Sequence, residues 1–414
     1  MADLDRLPPD QAWLSAPATR AVMAALQAAG GADCARFVGG CVRNALSGHP
    51  VEDVDIATVL HPDVVTQALT AAGLKAVPTG LDHGTVTAIA DHQPFEITTL
   101  RRDLETDGRH AVVAFTTDWA EDARRRDFRL NALYADADGR LYDPIGEGVA
   151  DARAGRIVFV GDPRQRILED ALRILRFFRF QAWYGRGEPD ADALAACAAL
   201  KDKLDGLSAE RVAKELLKLL AAPDPRPAMR PMQATGVLGQ VLPEAGGLWR
   251  FERLVGIETG ASPDALSRLG ALLPDDPAVG GACAQRLRFS VAQRERLSAM
   301  LGVSPRLTAA MSPRALRQAV YRLGADVFCD RALLAWAVST SEVSNRFWRE
   351  LLTQARAWLA PRFPLTGDDA LAAGAPKGPK VGQALRAVED WWVENDFPDD
   401  RPALIERLKA AIAA

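Results

Sequence analysis

"FVGGCVRNALSGHPVEDVDIAT", Phe37 to Thr58, begins with two apolar residues and a diglycine and ends in a Thr that closely follows Asp-Val-Asp. The apolar pair running into Gly39-Gly40 reads as a strand meeting a tight turn, and the "CVRNAL" behind it can open a helix, so backbone N–H groups converge there on an anion. Arg43 stands one turn in. Asp53 and Asp55 then occupy positions i and i+2 of a strand-like run, which sends both side chains to one face. Two carboxylates on one face repel each other. Mg2+, a hard ion with oxygen ligands, removes that penalty and bridges to phosphate oxygens. Each piece also has a plainer reading: a lone Gly-Gly fits an ordinary strand-to-helix turn, and a lone Asp-Val-Asp fits a solvated strand end. Their order, phosphate cradle, arginine, then metal carboxylates, is the order required to hold a nucleoside triphosphate with its metal.

The rest of the chain sets bounds on that reading. Its 414 residues suit two to four compact units rather than one core. Apolar residues at 48% and charged residues at 25% describe a globular protein with no disordered single-sign arm. No apolar run approaches the ~18 residues of a membrane span. "MADLDRLPPDQ" lacks the basic-then-apolar order of a secretory leader, so a cytoplasmic protein with no membrane partner is expected. Cys34, Cys41, Cys197, Cys283 and Cys329 are scattered without a C-x-x-C pair and read as reduced core residues. All five histidines lie within the first 110 residues, which excludes a histidine metal centre from the remainder. Net charge is −4, so a polyanion has to be met by local patches: Arg164, Arg166, Arg173, Arg176, Arg179 and Arg186 crowd one segment, and Arg306, Arg314, Arg317 and Arg322 another.

From Ala35 to Pro144 short β-like runs alternate with turns: "ARFVGG", "DVDIATVL", "GTVTAIAD", "FEITTL" and "VVAFTT". From "DPRQRILEDALRILRFFRF" onward they give way to Ala, Leu and Arg-rich segments of 3.6-residue period. The expected class is α+β, a head with a small mixed sheet followed by an all-helical neck, body and tail. Breakers place the expected divisions at 1–32 (helical segment), 33–150 (catalytic head), 151–224 (neck), 225–350 (body) and 351–414 (tail). In the tail, "GAPKGPKVGQAL" reads as a Gly/Pro loop feeding a helix.

"GGCVRN…DVDIAT" resembles the signature of the DNA polymerase β-type nucleotidyltransferase superfamily, and within it the group of class II tRNA nucleotidyltransferases and bacterial poly(A) polymerases. The group usually carries Arg-Asp where this chain has Arg43-Asn44, which loses a charge and keeps hydrogen-bonding capacity. Two further blocks follow in the group's order. "RRDFRLNAL", Arg125 to Leu133, is similar to its RRDFxxNAL block. The resemblance implies that Arg126 contacts the nucleotide while Asp127 and Asn131 brace the site; by itself the block also fits a basic helix start on the surface. "EDALRILRFFRF", Glu169 to Phe180, reads as one amphipathic helix with a charged arc, for which a solvated face with an Asp-Arg i,i+3 pair is the plain interpretation. The resemblance to the group's EDxxR motif implies more: Asp170 and Arg173 present acceptor and donor to the Watson–Crick edge of the incoming base, and Glu169 holds the arginine. Arg176 and Arg179 are assigned more loosely to phosphate or base. "SAERVAKELLKLL" from Ser208 resembles the group's ERxxxEL helix and reads as structural support. Glu96, on a strand, is a candidate third catalytic carboxylate beside Asp53 and Asp55.

The resemblance implies a Mg2+-dependent enzyme that adds CCA to the 3′ end of tRNA from CTP and ATP; it names no protein partner. Poly(A) polymerase shares the head and motifs, but "GLDHGTVTAI" at Gly80 to Ile89 stands where bacterial poly(A) polymerases carry an Arg-Arg-Phe-type block. A catalytically inactive RNA-binding protein is the other rival, against which the intact Asp53, Asp55, Arg126, Asp170 and Arg173 argue. "RRDLETDGRHAVVAFTTD", Arg101 to Asp118, reads as a mobile polar loop running into a short strand, with Asp107 and Arg109 as its polar lever or as a solvated hairpin tip. In the group a flexible loop here helps reshape the site from C to A addition.

Overall fold

Two helices, Ala12–Ser15 (α1) and Pro17–Gly30 (α2), lead into the strand Ala35–Val38 (β1). Gly39 follows with φ 66° and ψ −111°, backbone open to glycine alone, and turns the chain into the helix Gly40–Ser47 (α3). Gly48 closes that helix in the left-handed region, its N–H donating to the Asn44 carbonyl. Val54–Thr58 (β2) alternates buried Val54 and Ile56 with partly exposed Asp55. The head continues through Pro62–Ala71 (α4), Lys75–Gly80 (β3), Thr85–Ala90 (β4), Gln93–Thr99 (β5), Arg101–Thr106 (β6), Ala111–Phe115 (β7), Trp119–Arg124 (α5), Tyr134–Ala135 (β8) and Leu141–Tyr142 (β9). This computed structural model describes residues 5–80, 84–106, 111–258, 263–339 and 344–413, those at 103–106 and 111–113 by backbone alone.

Seven strands form one mixed sheet in the order β3-β4-β5-β2-β1-β8-β9, with β2 and β5 parallel and every other pair antiparallel. The parallel register sets Asp55 directly opposite Glu96. The five strands expected from the sequence are present; β3 and the two-residue β8 and β9 were not foreseen, being too short or too exposed to alternate visibly. Arg101–Thr106 corrects the loop expectation: it is a strand, paired antiparallel with β7 in a separate two-stranded hairpin. Asp107 and Arg109 lie outside the described residues.

Helices follow: Gly148–Ala154 (α6), Pro163–Glu169 (α7), Leu172–Tyr184 (α8), Ala191–Leu200 (α9), Ala209–Leu220 (α10), Arg226–Ala234 (α11) and Val237–Val241 (α12). The single helix expected over Glu169 to Phe180 is instead broken. Asp170 sits at φ −153° and ψ 106° between α7 and α8, and its Oδ1 accepts the Leu172 N–H, so a side chain able to cap the next helix ends the previous one. Beneath α8, Phe177 and Phe180 pack with Phe128 and Phe159 from the head, Phe128–Phe159 at 4.8 Å and Phe128–Phe180 at 5.1 Å between ring centres. This cluster fixes α8 to the sheet domain.

The chain forms two compact units, 1–243 and 244–414. Among its described residues the second contains ten helices, from Trp249–Ile257 to Arg401–Ala413. It has one core around Phe328, Trp336 and Trp348 and another around Val388, Trp392, Leu404 and Leu408. The Gly/Pro stretch at Gly374–Gly378 does feed a helix, Pro379–Glu394.

Candidate active site

Gly39, Gly40, Arg43, Asp55, Arg126, Asp127, Asn131, Asp170, Arg173, Arg176 and Arg179 all line one cavity of about 620 Å3. Residues as far as 140 positions apart in sequence thus share a space large enough for a nucleotide.

Of the three expected carboxylates, Asp55 lines this cavity, while Asp53 and Glu96 do not line it and act on Asp55 through their charge. Asp55 is pushed up to about 6: partial burial withholds water from its charge, and Glu96 and Asp53 repel it, against the pull of Arg126 and Arg43. Asp53 itself lies exposed just ahead of β2, and Glu96 is exposed on β5. Among the described residues no three Asp, Glu, His or Cys side chains close on one point as a preformed metal cage would. The three carboxylates repel one another, and Asp55, the most buried of them, carries that repulsion.

Above it, the glycine turn meets two arginines. A Cβ on Gly39 would come within 3.5 Å of Arg126 Nη1, and one on Gly40 within 3.8 Å of Arg43 Nη2. Arg43 donates from Nε and Nη2 to Asn44 Oδ1 (3.1 and 2.8 Å), from Nη1 to Asn131 Oδ1 (2.6 Å) and from Nη2 to the Tyr184 hydroxyl (2.9 Å). Asn44 in turn donates to the Pro50 carbonyl at 2.7 Å, which a carboxylate at this position cannot do. Asn44 therefore braces Arg43 through its acceptor while its amide closes the following loop.

Arg126 is held by Asp122 Oδ2 at 2.9 Å, and the same carboxylate takes Arg125 at 2.7 Å and the Tyr134 hydroxyl at 2.7 Å. Asp122 is 1% exposed. Burial opposes its charge, yet Arg126 and Arg125 outweigh that and hold it well below the usual carboxylate range.

A chain of hydrogen bonds runs along the cavity wall from Arg43 to Arg176. Arg43 bonds Asn131; Asn131 Nδ2 donates to Asp127 Oδ1 at 2.9 Å; Asp127 Oδ2 accepts Arg176 Nε at 2.7 Å. Beside it, Arg173 Nη1 donates to Glu169 Oε2 at 2.6 Å and to the Arg166 carbonyl at 2.8 Å, and Glu169 also pairs with Arg166 at 2.6 Å. Arg179 donates to Glu215 Oε2 at 2.6 Å, and Arg211 Nη2 to Asp170 Oδ2 at 2.7 Å.

Sequence reasoning did not assign Asp122, Tyr184, Arg101, Arg125, Arg211 or Glu215 to this site. Asp122 carried a signal: it precedes Arg125 and Arg126 by three and four residues on "EDARRRDF", the spacing at which helical side chains meet. Tyr184, Arg101, Arg211 and Glu215 are joined to the site by tertiary contact alone.

A seven-stranded head carrying a glycine turn, carboxylates and an arginine-lined cavity defines a nucleotidyltransferase head. The family model described as "Poly A polymerase head domain" matches residues 35–158, and "Probable RNA and SrmB- binding site of polymerase A" matches 188–246. The chain is 33% identical over 385 residues to the mouse protein named "CCA tRNA nucleotidyltransferase 1, mitochondrial", covering 90% of this chain and 86% of that one. To a CCA-adding enzyme of Levilactobacillus brevis it is 32% identical, covering 90% and 92%. Its fold matches a Bacillus stearothermophilus CCA-adding enzyme solved with CTP at TM-score 0.76, 24% identity and coverage of 95% and 98%. The chain belongs to the CCA tRNA nucleotidyltransferase family.

Proposed function

We propose that this protein adds the CCA sequence to the 3′ end of tRNA, taking nucleotides from CTP and ATP and releasing pyrophosphate. The observation that carries the reading is that Asp55 and the Asp170–Arg173 pair line one cavity, so chemistry and base choice share a single bound nucleotide. The names of the relatives support it, as do solved fold neighbours bound to CTP and to ATP.

The Gly39-Gly40 turn with Arg126 Nη1 beside it receives the triphosphate. Arg43 contributes chiefly its charge, since four hydrogen bonds already engage its guanidinium. The Asp170 carboxylate accepts from the exocyclic amine of C or A, while Arg173 donates to the ring nitrogen beside it. U and G present the reversed pattern and leave both groups unpaired, the kind of mismatch by which buried polar sites reject a substrate. The 3′ hydroxyl of the tRNA then meets the α-phosphorus in line, held between Asp55 and the arginine wall. Asp53 and Asp55, with Glu96 adjacent, are the groups that would hold Mg2+, which when bound lowers the hydroxyl's pKa and offsets charge on the departing pyrophosphate. The raised Asp55 fits that role, because a cation relieves the repulsion that raises it.

The test is incorporation of labelled CTP and ATP into tRNA lacking its CCA end. Two C additions followed by one A are expected. Repeated AMP addition without CMP would instead make the protein a poly(A) polymerase, and no transfer would make it an RNA binder.

A further inference from the structure

We propose that Arg36 on β1, packed against Trp119 and Tyr142, is a binding site for one backbone phosphate of the tRNA strand whose 3′ end enters the active site; this rests on the proposed function. No motif of the sequence singles Arg36 out, and it does not line the nucleotide cavity.

The guanidinium carbon of Arg36 lies 3.6 Å from the ring centre of Tyr142 and 4.3 Å from that of Trp119, so two aromatic rings hold its orientation. Yet among the described residues Arg36 makes no hydrogen bond and no ion pair, and its Nε is buried without an acceptor. Nη1 and Nη2, which carry four of the five N–H donors of a guanidinium, stay open to solvent. Burial pulls its pKa down, against the pull of Tyr142, Asp33 and Asp136. Of these carboxylates Asp136 is spent elsewhere: Oδ1 accepts the Asp138 and Arg140 N–H groups at 3.0 and 2.9 Å, and Oδ2 accepts the Tyr142 hydroxyl at 3.1 Å. Asp33 is exposed ahead of β1. The result is a held guanidinium with unclaimed donors, whose planar fork matches a pair of phosphate oxygens.

Its place selects the phosphate. Arg36 pairs with Ala57 in the β1–β2 ladder, and Asp55 stands two residues along β2 on the same sheet face. Diagonal neighbours of that kind lie about 7–8 Å apart. Trp119 belongs to the frame of the site as well: its ring meets that of Tyr134 at 5.2 Å, and the Tyr134 hydroxyl donates to Asp122, which holds Arg126. One frame thus fixes both Arg126 and the rings against Arg36, beside the carboxylate that the tRNA 3′ hydroxyl has to reach. An RNA strand that brings its end to Asp55 carries its neighbouring phosphates past this part of the face. The triphosphate has its own place at the Gly39-Gly40 turn and Arg126, in the cavity from which Arg36 is absent.

The experiment titrates tRNA lacking its CCA end against wild type, Arg36→Gln, Arg36→Lys and Arg36→Met from ~50 to ~200 mM salt, with thermal melts and the KM for CTP and ATP alongside. Arg36→Gln is expected to weaken tRNA binding at least about threefold and to flatten the slope of log K against log salt by about 0.7, the share of one phosphate on a single strand. The KM for CTP and ATP is expected to stay. Arg36→Lys keeps the charge without the planar fork, so it is expected to restore the slope and regain part of the affinity. A neutral methylphosphonate placed in turn at each 3′-terminal linkage of the tRNA locates the contact: at one linkage it is expected to weaken wild type and to add nothing in Arg36→Gln. Arg36→Met, which packs against the two rings without charge, carries the comparison should Arg36→Gln fail to fold. An unchanged slope in the uncharged variants, or the lack of any linkage coupled to Arg36, overturns the inference while tRNA binding by wild type leaves the proposed function standing. A raised KM for CTP and ATP with an unchanged tRNA slope also overturns it, and gives the guanidinium to the triphosphate instead. If wild type itself does not bind tRNA, the proposed function fails and the inference with it.

Discussion

Asp55→Asn is expected to abolish nucleotide transfer and, in the absence of metal, to make the protein more stable. Asp55 is pushed from 3.8 to about 6 by burial and by Glu96 and Asp53, so the folded state favours its protonated form. The sign follows directly. Below pH 3.8 both states carry the proton and nothing is lost; as pH rises towards 6 the unfolded chain ionises first, and the folded state loses stability until its own carboxylate ionises. Above that the loss is complete. At about 1.4 kcal/mol per tenfold change in ionisation the full loss approaches ~3 kcal/mol, and solvent at this partly exposed strand halves it to ~1.5 kcal/mol. Asn removes the charge while keeping the shape. In a unit of this size ~1.5 kcal/mol corresponds to roughly 3–6 °C in Tm. Melting wild type and Asp55→Asn in chelator at pH 8 and pH 5 is the assay: the variant is expected to melt higher at pH 8, with the gap roughly halved at pH 5. Added Mg2+ is expected to raise the wild type and leave the variant where it was. A variant that melts lower than wild type at pH 8, or a gap independent of pH, refutes the view that these carboxylates are held together against their own repulsion.

Asp122→Ala strips the partner from Arg125, Arg126 and Tyr134 at once, and urea titration is expected to show a loss of about 3–5 kcal/mol; less than ~1 kcal/mol contradicts the buried-anchor role. Arg43→Lys cannot span Asn44, Asn131 and Tyr184 together, so kcat/KM for CTP and ATP is expected to fall at least about tenfold, near 1.4 kcal/mol, and an unchanged value would falsify the bracing argument. Deleting residues 104–110 from the β6–β7 hairpin is expected to spare CMP addition and depress terminal AMP addition at least about tenfold. Equal loss of both steps marks the hairpin as structural.

The sheet and the outline of the site were legible in the sequence wherever a local rule governs. The "FVGG" strand and turn follow from glycine's access to positive φ, and "DVDIAT" and "FEITTL" from alternation of buried and exposed residues. The break at Asp170 was not legible, because apolar residues keep helical spacing across it and only the cap geometry ends α7. The pairings of Arg43 with Tyr184 and of Arg211 with Asp170 join residues 141 and 41 positions apart, distances at which periodicity carries no information.

These long-range pairs account for how one cavity can serve two tasks. Charge on the proposed phosphate side is borne by Arg43 and Arg126, each spending its donors on neutral or buried partners that fix its direction. The proposed donor and acceptor for the base are each held by an opposite charge, Glu169 on Arg173 and Arg211 on Asp170. Asn131 and Asp127 join the two sides in a continuous chain from Arg43 to Arg176. A substitution at the neutral link, Asn131→Ala, breaks that chain without adding charge. It is expected to slow C and A addition together, whereas a substitution at Asp170 separates the bases. That outcome would trace rate and selectivity to different hydrogen bonds in one wall. A loss of selectivity in Asn131→Ala as large as in Asp170→Ala would show that the two sides move as one body.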